Sequence, residues 1–161
     1  MYPRIIAVLA FAVSLDCAAQ LQVSSPVQAC SPLVDTQLRA GEWTQYPDGK
    51  QGCRSAARVI ASDRNGTSTI AYSAEGEDGI PNRVMLVADV HSPADAEWAR
   101  RDLIKAAKRL SVRVLGLSMP HSLDEAIIKE KYARLFVGSG SITFDRTPTI
   151  KGRYTLTVVM E

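Results

Sequence analysis

The chain has 161 residues, 46% of them hydrophobic, and a formal net charge of +2. That length and apolar content suit one domain with a real core, and the near balance of charge excludes the concentrated positive surface of a dedicated nucleic-acid binder. Past the amino terminus no stretch approaches the roughly 20 apolar residues that a spanning helix needs, so no transmembrane segment is expected in the mature form.

Arg4 precedes an apolar run over 5–15, and Cys17, Ala18 and Ala19 put small residues where a signal peptidase reads. The pattern predicts a signal peptide over 1–19, cleavage near Ala19, and a periplasmic or extracellular mature chain. Lipid attachment at Cys17 is the competing reading, but Asp16 just before the cysteine is a poor match to a lipobox. Cleavage leaves Cys30 and Cys53, which are expected to form one disulfide in an oxidising compartment. Neither lies in a CxxC pair or a metal-ligand spacing.

Residues 20–29 contain Ser24, Ser25 and Pro26, show no clear period, and read as a flexible leader to a single domain over 30–161. Residues 31–40 suit a short helix with Leu33, Val34, Gln37 and Leu38 on one side. Trp43 and Tyr46 precede a Pro47-Asp48-Gly49 turn and are expected to plug the disulfide. Alternation over 55–61 predicts a strand, Asn65-Gly66 a hairpin turn, and 67–74 the return strand. Asn65-Gly66-Thr67 is also a glycosylation sequon. The acidic stretch 75–82 reads as a second turn; its Glu75, Glu77 and Asp78 lack the spacing of a Ca²⁺ loop.

The rest of the chain is organised around 83–114. Val84, Leu86, Ala88 and Val90 fall on one face of a predicted strand, and Met85 and Val87 make the other face apolar, which places it inside a sheet. Ser92, Pro93 and Asp95 then carry the signature of a capped helix start. Ala96, Ala99, Leu103, Ala106, Ala107, Leu110 and Val114 recur as one apolar stripe, with Arg100, Arg101, Lys105, Lys108 and Arg109 on the other side. After Gly116 and Pro120, a capping box from Ser122 to Glu125 predicts a second helix through Tyr132, buried through Ile127, Ile128 and Tyr132. Residues 134–145 and 153–161 read as a closing hairpin. The expected fold is α+β, a mostly antiparallel sheet of about five strands with two helices packed on one face, in the order βββααββ.

Chemistry is sparse. Gly138-Ser139-Gly140-Ser141 lacks the ending of a phosphate-binding loop and reads as a flexible or bulged strand. A hydrolase could be drawn from His91 or His121 with Ser92, Ser122 or Ser139, but there is no nucleophile elbow. Two isolated histidines and two bridged cysteines leave too few ligands for zinc. Among Glu75, Asp89, Asp124, Glu125 and Asp145 nothing singles out a catalytic pair. No catalytic residue, metal or cofactor is therefore expected.

The most concrete surface is the basic helix face, with Arg101, Lys105, Lys108 and Arg109 as candidate partner-binding residues. Lys129, Lys131 and Arg134 would extend it if the two helices lie side by side. No interleaved aromatics accompany these charges, so nucleic-acid stacking is not expected. The functional expectation is a secreted, non-enzymatic protein-binding module, such as an inhibitor, an immunity-type protein or an envelope accessory factor, with an acidic partner. The hairpin tips at 63–67 and 75–82 are further candidate surfaces. The alternatives are a small secreted hydrolase using His91 or His121, and an envelope structural subunit that self-associates through a strand edge.

Overall fold

The computed structural model describes residues 21–64 and 66–161. The expected signal peptide, its cleavage site and Cys17, with Asn65 and its sequon, lie outside the described residues.

The described chain forms helix α1 (Pro26–Cys30), strands β1 (Thr44–Gln45), β2 (Gln51–Arg54), β3 (Arg58–Asp63), β4 (Gly66–Glu77) and β5 (Ile80–Val90), helices α2 (Ala96–Leu115) and α3 (His121–Ile128), then strands β6 (Ala133–Val137), β7 (Gly140–Pro148) and β8 (Tyr154–Met160). The strands make one antiparallel sheet in the order β1-β2-β4-β5-β8-β7-β6, with β3 also on β4. The class is the expected one. The details differ: eight strands and three helices are present among the described residues, not five and two.

β5 is central, as its apolar pattern requires. Val84, Leu86, Ala88 and Val90 are wholly buried, and α2 lays Ala99, Leu103, Ala107, Leu110 and Val114 over the same side of the sheet. Each fully buried leucine stabilises the fold by about 1.5–3 kcal/mol relative to exposure. Ile70 and Tyr72 of β4, Leu156 and Val158 of β8, and Ile142 and Phe144 of β7 complete this layer. The opposite sheet face stays open. There Ala71, Met85, Val87 and Val159 are half-buried by their strand neighbours.

The strand expected over 55–61 forms only from Arg58 onward, because Ala56 and Ala57 leave the ladder. Ser55 closes the gap, its N–H donating to the Tyr72 carbonyl while its hydroxyl accepts the Tyr72 N–H. The long β4 thus takes two partners on one edge, β2 along its second half and β3 along its first. The turn between β4 and β5 is confined to Asp78 and Gly79, both with positive φ (51° and 75°), as a two-residue hairpin of this kind demands. The closing region has three strands because Gly138 (φ 62°) and Ser139 form a two-residue turn in which only the glycine has positive φ, pairing Val137 with Gly140. The glycine-serine run is therefore a hairpin, not a bulged strand.

The expected Ser92 cap is present, and the capping box expected at Ser122 is not formed. Ser92 caps a short 3-10 turn, Pro93–Asp95, by accepting the Ala94 N–H, and Asp95 takes the Ser68 hydroxyl at 2.6 Å. α3 starts two residues early, with Pro120 at its cap instead of Ser122, and the Asp124 carboxylate pairs with Lys108 on α2. It stops at Ile128 because Glu130 takes φ 51°. Ile128 and Tyr132 are consequently exposed (57% and 66%), where burial was expected, while Ile127 is buried as predicted.

The front of the described chain is packed, unlike the flexible leader read over 20–29. Leu21 and Val23 are buried, the Gln22 N–H donates to the Val114 carbonyl, and Ala29 of α1 is fully covered. Gly116 at the end of α2 has φ 69°, and a side chain there would strike Gln22. Cys30 and Cys53 are bridged, joining α1 to β2. In place of a helix over 31–40 there is one 3-10 turn, Val34–Thr36. Leu33 and Leu38 are buried beside it, and Val34 is exposed.

Candidate functional site

α2 has two sides of different chemistry, and the outward one is the candidate site. With its alanine-leucine stripe on the sheet, Trp98, Arg101, Lys105 and Val112 follow one another along the opposite crest at steps of three, four and seven residues. Trp98 is 51% exposed. The Arg101 guanidinium lies 4.1 Å from its ring centroid, a stacking that holds both side chains upright on the helix.

The helix's other cations are largely engaged by acids from neighbouring elements. Lys108 meets Asp124 at 2.5 Å and Arg100 meets Glu130 at 2.7 Å. Arg113 grips both oxygens of Asp35 at 2.7 and 3.0 Å, and Arg109 stands 3.8 Å from the same carboxylate. The hydrogen bond from Arg113 holds the Asp35 carboxyl below its ordinary value. Arg58 of β3 pairs with Asp102 at 2.8 Å. Lys105 has no such partner among the described residues. It borders an open cleft of about 320 Å³ whose other charged walls are Asp35, Arg58, Asp102 and Arg109, three cations against two anions counting Lys105.

Of the four predicted partner-binding residues, Arg101 and Lys105 therefore lie together on the crest with their charges unneutralised by a carboxylate among the described residues, whereas Lys108 and Arg109 sit on its flanks in intramolecular pairs. Lys129 is held by Glu125 at 2.9 Å, and Arg134 lies on β6 facing the open side of the sheet, so they do not continue the row. Trp98 is not among the residues that the sequence points to. The signal was present, since it precedes Arg101 by three positions and Lys105 by seven, but an aromatic on the polar face belongs to neither the apolar stripe nor the row of charges.

The two histidines lie in different surroundings. His91 Nε2 lies 3.2 Å from Asp89, and its Nδ1 is buried without a hydrogen-bond partner, closed off by Gly66. The adjoining cavity of about 490 Å³ is lined by Asp89, His91, Thr149, Ile150, Arg153 and Thr155, with no serine among these residues. His121 is a surface side chain, 83% exposed, beside Glu125. The Ser92 hydroxyl serves its 3-10 turn, and Ser122 and Ser139 are exposed on α3 and the β6–β7 turn. The acids are likewise dispersed: Glu75 lies near Arg54, Asp124 on Lys108, Glu125 on Lys129 and Asp145 on Thr147. Among the described residues no cluster of three or more His, Cys, Asp or Glu is placed to hold a metal ion.

A second constellation has no sequence signature. Glu130 receives Arg100 and the Tyr154 hydroxyl on one oxygen, at 2.7 and 3.0 Å, and Arg146 on the other at 2.7 Å. Arg146 also lies over the Tyr154 ring. Burial, reinforced by the bond to Glu130, raises the Tyr154 phenol above its ordinary value. All of these groups satisfy one another, which makes the cluster a clamp between elements.

Comparison with known proteins finds no matching family model, no matching curated protein and no matching solved structure, so the crest of α2 is interpreted on its own chemistry.

Proposed function

We propose that this chain is a non-enzymatic protein-binding module that works outside the cytosol and meets an acidic partner with the outward crest of α2. One observation carries the reading: Trp98 stands half-exposed beneath Arg101 and in line with Lys105, which has no carboxylate partner among the described residues. Tryptophan and arginine dominate the energetic centres of protein interfaces, because one large ring and one forked cation desolvate much surface at small entropic cost. A half-exposed tryptophan on a helix whose other side is already buried contributes little to folding, which leaves contact with another molecule as its most economical role. Cations on the crest that no carboxylate of the described residues neutralises favour an acidic counterpart. The Cys30–Cys53 bridge fits an oxidising compartment, and no helix among the described residues is long and apolar enough to cross a membrane.

The test is retention of a partner from extracts of the cell envelope and medium of the producing organism, using the bridged protein as bait. Trp98→Ala should weaken capture of that partner about tenfold or more, and Arg101→Glu with Lys105→Glu should weaken it further and flatten its salt dependence. Neither change touches the core, so the unfolding midpoint should stay within error. Undiminished capture by both variants would remove the crest as the binding surface.

A further inference from the structure

The two ends of the sheet are not equivalent. At one end the edge is short or broken: β1 has two residues, and β3 carries a register shift between Val59 and Ala61. Short and bulged edges resist pairing with another chain. At the other end β6 is regular, five residues long and bonded only to β7 among the described residues. It also carries Phe136, which is 79% exposed, and Tyr132 just before the strand is 66% exposed.

The hairpin geometry dictates what this edge offers. Val137 and Gly140 close a two-residue turn, so they form a hydrogen-bonded pair, and the alternation of an antiparallel ladder makes Leu135–Ile142 and Ala133–Phe144 bonded pairs too. Arg134 and Phe136 are left with N–H and C=O pointing away from the sheet. Their side chains share the open face, with the Arg134 guanidinium 5.8 Å from the Phe136 ring centroid, while Ala133 and Leu135 pack toward the core.

We infer that β6 pairs antiparallel with β6 of a second copy about a two-fold axis at Leu135. This register sets Arg134 of each chain opposite Phe136 of the other, so the outward groups exchange four backbone hydrogen bonds and a guanidinium meets an aromatic ring twice. Of the two neighbouring registers that keep these backbone groups in use, one centres on Arg134 and brings two guanidinium groups face to face, which like-charge repulsion disfavours, and the other centres on Phe136 and sets Arg134 opposite Gly138, whose φ of 62° in the turn takes it out of extended pairing. A slip by one residue would turn Arg134 and Phe136 toward the buried side of the copy. Self-complementarity thus selects a second copy as the occupant of this edge, with the two sheets made continuous. A contact of five residues per chain is small, so the dimer is expected to be reversible.

Sedimentation equilibrium of the bridged protein, from micromolar to roughly 0.5 mM, tests this. The expected result is a concentration-dependent monomer–dimer equilibrium. Arg134→Pro removes an N–H that β7 does not use and should yield monomer with an unchanged unfolding midpoint. Phe136→Lys, on a side chain that contributes almost nothing to the core, should weaken association about tenfold by opposing two cations. Phe136→Glu should preserve it in salt-sensitive form, since the introduced carboxylate would then face Arg134 of the copy. A wild-type protein that stays monomeric throughout, or a dimer indifferent to both Arg134→Pro and Phe136→Lys, would overturn the inference. Loss of association in Phe136→Glu equal to that in Phe136→Lys would overturn the Leu135-centred register.

Discussion

Tyr72 shows how much a single position carries. Its ring fills the core between β4 and α1, and its hydroxyl donates to the Ala29 carbonyl. Burial pushes the phenol far above its ordinary value of 10.0. A group whose folded value is raised contributes stability that is fully present below its unfolded value and lost as pH climbs toward the folded one. Stability measured by urea unfolding should therefore hold to about pH 9 and fall beyond about pH 10, with Tyr154 adding to the decline. Tyr72→Phe should cost roughly 1–2 kcal/mol at neutral pH, by orphaning the Ala29 carbonyl, and should make the alkaline fall shallower. Equal slopes in the two proteins would show that the titrating group lies elsewhere. Tyr72 falls on the predicted return strand, but no local pattern announces that it reaches a carbonyl 43 positions earlier.

At the scale of elements, α1 is the piece least able to stand alone. Five residues cannot sustain a helix in water, so α1 depends on its Ser25 cap, the burial of Ala29 and the bridge from Cys30 to Cys53. The bridged cysteines are 23 positions apart, and closing a loop of that size is expected to contribute about 3 kcal/mol. Reduction should lower the unfolding free energy by about that amount. The spectroscopic signature of the sheet should survive, because β4, β5, β7 and β8 make no use of the bridge. Alkylation without prior reduction, followed by mass measurement, should leave Cys30 and Cys53 both unmodified; two alkylated thiols would contradict the bridge. β5 and α2 were legible in advance because their periods of two and 3.6 are written in consecutive residues. α3 was read too long, since its end depends on the left-handed turn at Glu130 and not on any proline or glycine.

The whole molecule is held by contacts that cross these elements. Glu130 binds α2 through Arg100, β7 through Arg146 and β8 through Tyr154, and its side chain is only 18% exposed. Glu130→Gln keeps the size but strips the charge that two guanidinium groups are arranged around. It should destabilise the protein by roughly 2–3 kcal/mol in chemical denaturation. A loss below about 0.5 kcal/mol would class the cluster with ordinary surface pairs.

The apolar alternation of β5, the stripe of α2, the two cysteines and the α+β class were determined by the sequence itself. Each depends on side chains whose order along one strand or helix already states which side is to be buried. The tertiary structure alone decided that Lys108, Arg109 and Arg113 are engaged while Arg101 and Lys105 face outward, that the strand expected from Ser55 begins at Arg58, and that β6 is an edge paired only with β7 among the described residues. Those outcomes rest on partners far apart in the chain, such as Arg100 and Glu130 separated by 30 positions, and charge pairing between such residues leaves no periodic trace in either segment.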